Sequence, residues 1–217
     1  MGLQKLLPRS IRMAYLYVKS KKIATDKQLT RTQKIAAIHK KEQAWLSNLS
    51  DMFKGVGKQD VAVAVGMKDM ANIYTSLESP DDALRFLNVM DTNFPQIVKH
   101  NWNNEFVFNT YIYSIYYKGK AYAQKGMIEE CRNQFDKLNL NLNKFITEDP
   151  SNSSLQEMYT YLNNQIYNNY IDIAEKYTHA QQIAYKTCLN QFKIFDSRDP
   201  GNEQIQDIIN GIQPWVE

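Results

Sequence analysis

Apolar residues recur at helical steps along most of the chain. Between residues 32 and 53 the steps are three, four and seven, which places the apolar side chains on one helical face: Ile35, Ile38, Trp45, Leu49 and Met52. We therefore predict one long helix from Thr32 to Phe53, ended by the glycines at Gly55 and Gly57. A second helix is predicted from Asp60 to Leu77.

Two serine-containing segments carry signals for the start of a helix. Ser79 precedes Pro80 and two aspartates, and each of these residue types is favoured in its place: serine as N-cap, proline in the first helical position and acids near the positive helix end. Ser153 and Ser154 are each followed three residues later by a glutamine or glutamate, which is the spacing of a capping box. Helices are therefore predicted to begin at both places.

The segment from Phe106 to Tyr113 is rich in aromatic and β-branched residues, which favour strands. We nevertheless predict a helix over 104–125, because the segment continues in helical phase to Tyr122. The partner helix is predicted to start near Met127 and to run through Phe145. A last short helix, predicted from Glu203 to Ile212, would cap the C-terminal end.

Small residues and aromatic rings are arranged around a glycine turn in the middle of the chain. Gly119 and Tyr122 share a face of one helix, and Cys131 and Phe135 share a face of the next, with Gly126 between them. Small side chains let two helix axes approach closely while a ring fills the remaining gap. This order of residues resembles a tetratricopeptide (TPR) helix–turn–helix repeat.

Two further segments match the same pattern of small, aromatic and closing proline residues. The matching residues are Ala71, Tyr74, Ala83 and Pro95 in one segment, and Ala174, Tyr177, Cys188, Phe192 and Pro200 in the other. The resemblance thus covers three repeats, at about 62–95, 112–150 and 167–200. Their spacing is irregular, with 48 residues from Ala83 to Cys131 and 57 from Cys131 to Cys188, where a regular array keeps about 34.

The resemblance implies an all-α fold, namely a TPR-like right-handed superhelical array of antiparallel helix pairs. Residues 32–217 would form the helical-repeat domain, closed by the capping helix at 203–212. In this family a partner protein binds in a groove lined by the first helix of each repeat. The corresponding groove positions in this chain are Lys68, Asn72, Thr75, Tyr116, Lys120, Gln124, Asn168, Ile171 and Glu175.

Lys68 and Asn72 also match the first half of the carboxylate clamp with which TPR proteins hold the C-termini of chaperones. The remaining clamp positions need an asparagine, a lysine and an arginine, but this chain has Tyr117, Asn168 and Asp172 there. The clamp is incomplete, and docking of a chaperone is not expected.

Positive charge is concentrated near the N-terminus. Residues 1–41 contain eleven Lys and Arg against one acid, a net charge of +10, while the rest of the chain carries −7. The cations of the predicted basic arm or helix, residues 1–31, are Lys5, Arg9, Arg12, Lys19, Lys21, Lys22, Lys27 and Arg31. A basic, acid-poor, amphipathic start is typical of mitochondrial targeting segments. The same pattern also fits an arm that contacts RNA or an anionic membrane, or a helix that docks one apolar stripe on the body.

Candidate catalytic and metal-binding residues are scarce. Cys131 and Cys188 fall where the repeat pattern needs a small buried residue, so we expect both to be reduced core residues. The three histidines have no cysteine or carboxylate at ligand spacing, and no nucleophile elbow, phosphate loop or dinucleotide fingerprint is present. We therefore expect no enzymatic activity, cofactor or metal. The chain has no run of about 18 apolar residues, so we expect no transmembrane segment.

These patterns favour a protein–protein interaction scaffold, whose helical groove binds another protein within a larger complex. The alternative is an accessory structural subunit of a large mitochondrial assembly, such as a ribosome or a respiratory or ATP synthase complex. In that alternative the basic arm contacts RNA or lipid. Both hypotheses predict an intracellular protein, and the basic start favours the mitochondrion over the cytoplasm.

Overall fold

The computed structural model describes residues 7–46, 48–101, 104–177, 180–198 and 200–216. Every regular element in these ranges is helical, so the predicted all-α class is confirmed, and the segment 106–113 is helix as expected. The helices are α1 (Arg9–Ala24), α2 (Arg31–Trp45), α3 (Lys58–Ser76), α4 (Pro80–His100), α5 (Glu105–Gln124), α6 (Ile128–Glu148), α7 (Ser153–Lys176), α8 (Gln181–Arg198) and α9 (Glu203–Ile212). They belong to two compact units, Met1–Ala121 and Tyr122–Glu217.

The first unit is built from helix pairs. α2 starts at a capping box, in which the Thr30 side chain accepts a hydrogen bond from the N–H of Gln33. α1 packs on α2 and on α3, and α3 packs on α4. Two large buried rings come from α3 and α4, Tyr74 and Phe86, with their centroids 6.0 Å apart. The core of this unit therefore lies between its paired helices.

The close approach of α1 to α3 depends on Gly66. A Cβ atom at this position would lie 2.5 Å from Cγ of Met13, closer than two nonbonded carbon atoms can approach. The absence of a side chain at Gly66 lets α1 bury Met13, Leu16 and Ser20. One stripe of α1 is thus docked on the body of the first unit.

Asp60, in the first turn of α3, joins three parts of the first unit. Its Oδ1 atom accepts hydrogen bonds from the N–H groups of Lys54 (2.8 Å) and Gly55 (3.2 Å) and from the guanidinium of Arg9 (3.0 Å). Burial alone would raise the pKa of this carboxyl. The N–H of Lys54, the Arg9 guanidinium and the N–H of Gly55 more than offset burial and hold the pKa below its ordinary value.

Asp60→Asn should remove an acid-sensitive part of the stability. A carboxyl whose pKa is lowered by folding stabilises the protein above its unfolded-state pKa, and this contribution disappears as the pH falls through the folded-state pKa. At neutral pH the variant should therefore unfold with a free energy about 1–2 kcal/mol lower. The difference should begin to shrink near the ordinary Asp value of 3.8 and vanish once the pH is below the lowered folded-state pKa. Urea denaturation of both proteins measures it, and a difference independent of pH would contradict this role.

The second unit contains the end of α5 and helices α6 to α9. α6 packs on α7, α7 on α8 and α8 on α9. Gly126, with φ of 68°, supplies the left-handed residue that the turn after α5 requires, and the N–H of Met127 bonds to the carbonyl of Tyr122 at 3.0 Å. The ring of Tyr177 covers this turn, and its hydroxyl donates to the Gln124 carbonyl at 2.8 Å. The turn predicted at Gly126 is therefore confirmed.

The small residues expected at helix–helix contacts are all buried. They are Ala71, Ala83, Gly119, Cys131, Ala174 and Cys188. Beside Cys131, the ring of Phe135 on α6 meets the ring of Tyr170 on α7 edge-to-face, with centroids 5.7 Å apart. Small residues and rings thus occupy the interior, as the sequence pattern predicts.

The predicted helix over 32–53 is wrong in its second half. α2 ends at Trp45, and Leu46 is extended, with φ of −116° and ψ of 130°. Leu49 and Met52 are nevertheless buried, through an irregular segment and a 3₁₀ turn over Ser50–Met52. In this segment the N–H of Ser50 bonds to the Asn48 side chain at 3.1 Å, a local alternative to helical hydrogen bonds. The apolar spacing therefore indicated burial but not a continuous helix.

The proline expected to close a helix at Pro95 instead lies inside α4, which continues to His100. Proline removes one backbone hydrogen bond from a helix interior. Phe94 and Ile97, on either side of it, are buried, so packing holds the helix together past this point. The sequence pattern alone does not predict that packing.

Two helix caps differ from the predicted ones. The α7 N-cap is Asn152, whose side chain accepts from the N–H of Leu155 at 3.2 Å, so the capping box expected at Ser153 and Ser154 is wrong. Ser79 occupies the predicted N-cap position of α4, but its hydroxyl donates to Asp82 at 2.7 Å and caps no backbone N–H. Short polar side chains near a helix start compete for the same free backbone N–H groups. The sequence does not show which of these side chains forms the hydrogen bond.

Candidate functional site

A cleft of about 500 Å³ lies in the second unit, where α7 faces parts of α6, α8 and α9. The described residues that line it carry carboxamides, hydroxyls, aromatic rings and aliphatic groups, and none of them is charged. They are Asn143, Ile146, Gln156, Tyr159, Thr160, Asn163, Asn164, Phe192, Phe195, Asn202, Gln204, Ile205 and Ile208. We call this set the carboxamide cleft.

One face of α7 supplies the polar wall of the cleft. Gln156, Thr160 and Asn163 follow one another at steps of four and three, which aligns their side chains along the helix. An adjacent face of the same helix buries Leu162 and Ile166 in the core and so fixes the orientation of the helix. The polar wall is therefore held by a packed element and not by a loop.

Three interlocked rings form the apolar wall. The rings of Phe192 and Phe195 meet at 5.4 Å and nearly at right angles, and Tyr159 meets Phe195 in the same manner at 5.7 Å. Phe192 and Phe195 are almost completely buried. Because these rings are fixed by their neighbours, a ligand would lose little free energy in ordering them.

Asn163 is a polar residue of the cleft with a buried atom that lacks a partner. The residue is only 6 % exposed, and its Oδ1 atom has no hydrogen-bond partner. A buried acceptor without a partner costs about 1–3 kcal/mol. Asn139 on α6 is also buried with both side-chain polar atoms unpartnered, but it does not line the cleft. Asn163 thus combines a place in the cleft lining with a buried acceptor that has no partner.

A second polar cluster lies in the first unit and is centred on Glu42, which is 5 % exposed. Its carboxylate accepts hydrogen bonds from the hydroxyl of Tyr74 and from the guanidinium of Arg85, the latter at 2.5 Å. Asp82, at the start of α4, lies 3.5 Å from Arg85 and 2.9 Å from Nε2 of His39. We call these five residues the Glu42 network.

The pairing inside the Glu42 network explains the direction of two pKa shifts. Burial and the Glu42 carboxylate both raise the pKa of Tyr74. Burial would lower the pKa of Arg85, but its hydrogen bond and charge interaction with Glu42 raise it overall. Tyrosine thus stays neutral and arginine stays charged, so the network joins α2, α3 and α4 as a structural brace.

The two thiols are core groups, as the sequence predicts. Cys131 and Cys188 are fully buried and form no disulfide. Burial raises the pKa of the Cys131 thiol far above its ordinary value and that of Cys188 to about 12. Both therefore remain protonated near neutral pH, and a protonated thiol is a poor nucleophile and metal ligand.

The sequence-predicted groove positions lie on α3, α5 and α7, and none of them lines the carboxamide cleft. Thr75 and Tyr116 are buried, so these two side chains contribute to the interior. Lys68 pairs with the neighbouring Asp69 at 2.6 Å. Those with partly or fully exposed side chains are Lys68, Asn72, Lys120, Gln124, Asn168, Ile171 and Glu175.

The cations of the predicted arm have different environments. Arg9 is bound to Asp60, and Arg31 pairs with Glu78 at 3.1 Å across two exposed side chains. Arg12 has a buried Nε atom, while Lys5 lies outside the described residues. The remaining cations have partly or fully exposed side chains: Lys19, Lys21, Lys22 and Lys27.

The sequence pattern predicts neither of the two polar clusters. Asn and Gln at helical steps along 156–164 were a visible signal for the cleft, but polar residues on a helix usually face solvent. Glu42 is one glutamate in a lysine-rich helix, and no spacing links it to Tyr74 or Arg85, which lie 32 and 43 residues away. Such partners become neighbours only when the helices pack.

Comparisons of the chain with protein families, with curated protein sequences and with solved structures find no match. Among the described residues, no helix combines the length and apolar character needed to cross a bilayer. The same ranges contain no group of three or more histidine, cysteine or carboxylate side chains arranged to hold a metal ion.

Proposed function

We propose that this protein is a non-enzymatic, TPR-like interaction module that binds an extended, uncharged segment of a partner protein in the carboxamide cleft. The observation that carries the proposal is the unpartnered, buried oxygen of Asn163 in a cleft lined by carboxamides and rings. An unpaired buried polar group costs free energy, and functional sites are one place where proteins retain such groups.

Carboxamide side chains can form hydrogen bonds with a peptide backbone. Each Asn or Gln side chain offers an N–H donor and a carbonyl acceptor, the same pair that a peptide group presents. A bound backbone N–H would complete the pairing of Asn163, and Gln156 and Asn164 could pair with neighbouring peptide groups. Since the described lining is neutral, a charged side chain entering the cleft would lose hydration without gaining a partner. The cleft therefore favours an uncharged segment.

The apolar wall would hold one side chain of that segment. Phe192, Phe195 and Tyr159 form a fixed surface against which an aliphatic or aromatic group can pack. The volume of about 500 Å³ falls within the range of about 300–1,000 Å³ that is usual for ligand-binding clefts. Anchoring one apolar group in a fixed pocket with polar contacts around it is a common mode of peptide recognition.

A second candidate function is an accessory subunit of a large, mitochondrial assembly in which the N-terminal region contacts RNA or lipid. The observation that favours a contact of this kind is the cluster of exposed lysines on and after α1, which includes Lys21, Lys22 and Lys27. This role is compatible with a peptide-binding cleft in the second unit, because the two use different residues.

Selection of random peptides displayed on phage, against the full chain, tests the proposed function. The enriched peptides should lack charged residues in their shared core, and Asn163→Leu should weaken their binding at least about tenfold, because a peptide N–H would lose its acceptor. The same change should leave stability equal or raise it by about 1 kcal/mol, since it removes an unpaired buried group.

Asn139→Leu is the matched control for this experiment. It replaces another buried, unpartnered asparagine of the same unit that lies outside the cleft lining. It should have a similar effect on stability and none on peptide affinity, as measured by fluorescence polarisation. Equal loss of affinity in both variants, or selected peptides that bind without regard to Asn163, would overturn the proposal.

A further inference from the structure

The outer face of α1 exposes apolar side chains in a continuous stripe. On α1, Ile11, Tyr15 and Val18 follow at steps of four and three and are 50, 38 and 60 % exposed, and Leu7, just before the helix, is 40 % exposed. The ring of Tyr15 stacks on one side against Trp45 of α2, with centroids 3.9 Å apart, whereas Ile11 and Val18 are at least half exposed. We call these four residues the outer stripe of α1.

The outer stripe cannot turn inward, because α1 is fixed by its opposite side. Met13 sits against Gly66 of α3, and Leu16 is fully buried. The ion pair between Arg9 and Asp60 holds the start of the helix. Rotation of the helix that would bury Val18 would expose Met13 and Leu16, so the stripe faces outward in the folded protein.

Lysines lie on both sides of the outer stripe. On an α-helix at 100° per residue, Lys22 falls within the stripe, Lys19 on one side of it and Lys21 on the other. The ammonium of Lys19 lies 5.2 Å from the ring centre of Tyr15, so this cation is held beside the apolar surface. The first acidic residue of the chain is Asp26, after the end of α1. The face therefore has an apolar middle, lysines along both edges and one lysine, Lys22, at its C-terminal end.

We propose that this face of α1 binds the surface of an anionic lipid bilayer, with the helix lying parallel to the membrane plane. Ile11 and Val18 enter the boundary between headgroups and acyl chains, and Tyr15 lies at the level of the headgroups. The lysines at the edges extend their flexible stems toward lipid phosphates and carboxylates. This proposal rests on the second candidate function, whose lipid contact it assigns to α1, and it uses none of the residues of the cleft.

The outer stripe distinguishes a bilayer from RNA. A nucleic-acid backbone would pair with the lysines, and a base could stack on Tyr15, but the aliphatic side chains of Ile11 and Val18 would gain nothing from phosphate or sugar. On a membrane the same two side chains leave water for the acyl boundary. The combination of apolar middle and positive edges therefore favours lipid.

Flotation of the full chain with lipid vesicles tests this proposal. The protein should float with vesicles of phosphatidylcholine and phosphatidylserine but not with phosphatidylcholine alone, and raising the salt concentration should weaken the binding. The double variant Ile11→Ser and Val18→Ser should bind the anionic vesicles on the order of tenfold more weakly. The double variant Lys21→Gln and Lys22→Gln should bind more weakly and lose part of the salt dependence.

Ile183→Ser with Ile194→Ser is the matched control. These two isoleucines of α8 are 46 and 48 % exposed, so the control makes the same kind of change at similar exposure outside α1. It should float like the wild type, and so should Asn163→Leu, which separates this proposal from the cleft. Circular dichroism of each variant verifies that the helices are intact.

Three outcomes would overturn membrane binding. The first is equal flotation with neutral and anionic vesicles, and the second is unchanged binding by the outer-stripe variant. The third is binding of single-stranded polyuridylic acid that depends on Lys21 and Lys22 but not on Ile11 and Val18, while the vesicles compete poorly. That last result would assign the face to RNA.

Discussion

Glu42→Ala should lower the free energy of unfolding by about 3 kcal/mol, because it removes the acceptor of the buried Tyr74 hydroxyl and of the half-buried Arg85 guanidinium. Tyr74 is completely buried, and Arg85 would keep only Asp82, at 3.5 Å, as a charge partner. The side chain of Arg85 is 44 % exposed, so solvent compensates part of the loss at that end. The expected effect is therefore below that of a completely buried ion pair.

Urea denaturation followed by circular dichroism measures this loss of free energy. A double-mutant cycle with Tyr74→Phe shows how much of it comes from the hydrogen bond between Glu42 and Tyr74. Tyr74→Phe alone should cost about 1 kcal/mol, and the two changes together should cost clearly less than their sum, because they break the same hydrogen bond.

Glu129→Ala is the control. It breaks a 2.6 Å ion pair with Arg132 in which both side chains are exposed, and should cost less than about 1 kcal/mol. Equal losses for Glu42 and Glu129 would show that the network does not brace the first unit.

Gly126→Ala should lower the free energy of unfolding by about 2–4 kcal/mol, through two separate effects. The φ of 68° at this turn is unfavourable for any residue with a Cβ atom. In addition, the new Cβ atom would lie 2.8 Å from two ring carbons of Tyr177. The ring would have to move, and its hydrogen bond to the Gln124 carbonyl would be strained or lost.

Two other glycines of the second unit separate these effects. Gly201 also has a left-handed backbone, with φ of 90°, but no atom lies within 4 Å of an added Cβ, so Gly201→Ala should cost only about 1 kcal/mol. Gly211 has open space and no such φ, and its replacement by alanine inside α9 should stabilise by about 0.5–1 kcal/mol. Thermal and urea unfolding of the three variants tests the order. A loss at Gly126 no larger than at Gly201 would mean that the Tyr177 ring does not cover the turn.

The sequence by itself determined the features that depend on neighbouring residues. The helical class, the turn at Gly126 and the last helix from Glu203 to Ile212 all follow from local spacing and residue type, and the structure has them where they were predicted. The burial of Cys131 and Cys188 was also predictable, because small residues at helical steps mark close helix contacts. The spacing of residues shows these features because one turn of an α-helix takes fewer than four residues.

Only the tertiary structure decided where two helices end and where polar groups meet. α2 stops at Trp45 although the apolar spacing continues, and α4 continues past Pro95, because packing of the flanking residues outweighs local preference. Glu42 finds Tyr74 across 32 residues, and Asn163 joins the rings of α8 in the cleft. Such contacts depend on how whole helices pack. The sequence shows which residues are present, but it does not show which distant residues become neighbours.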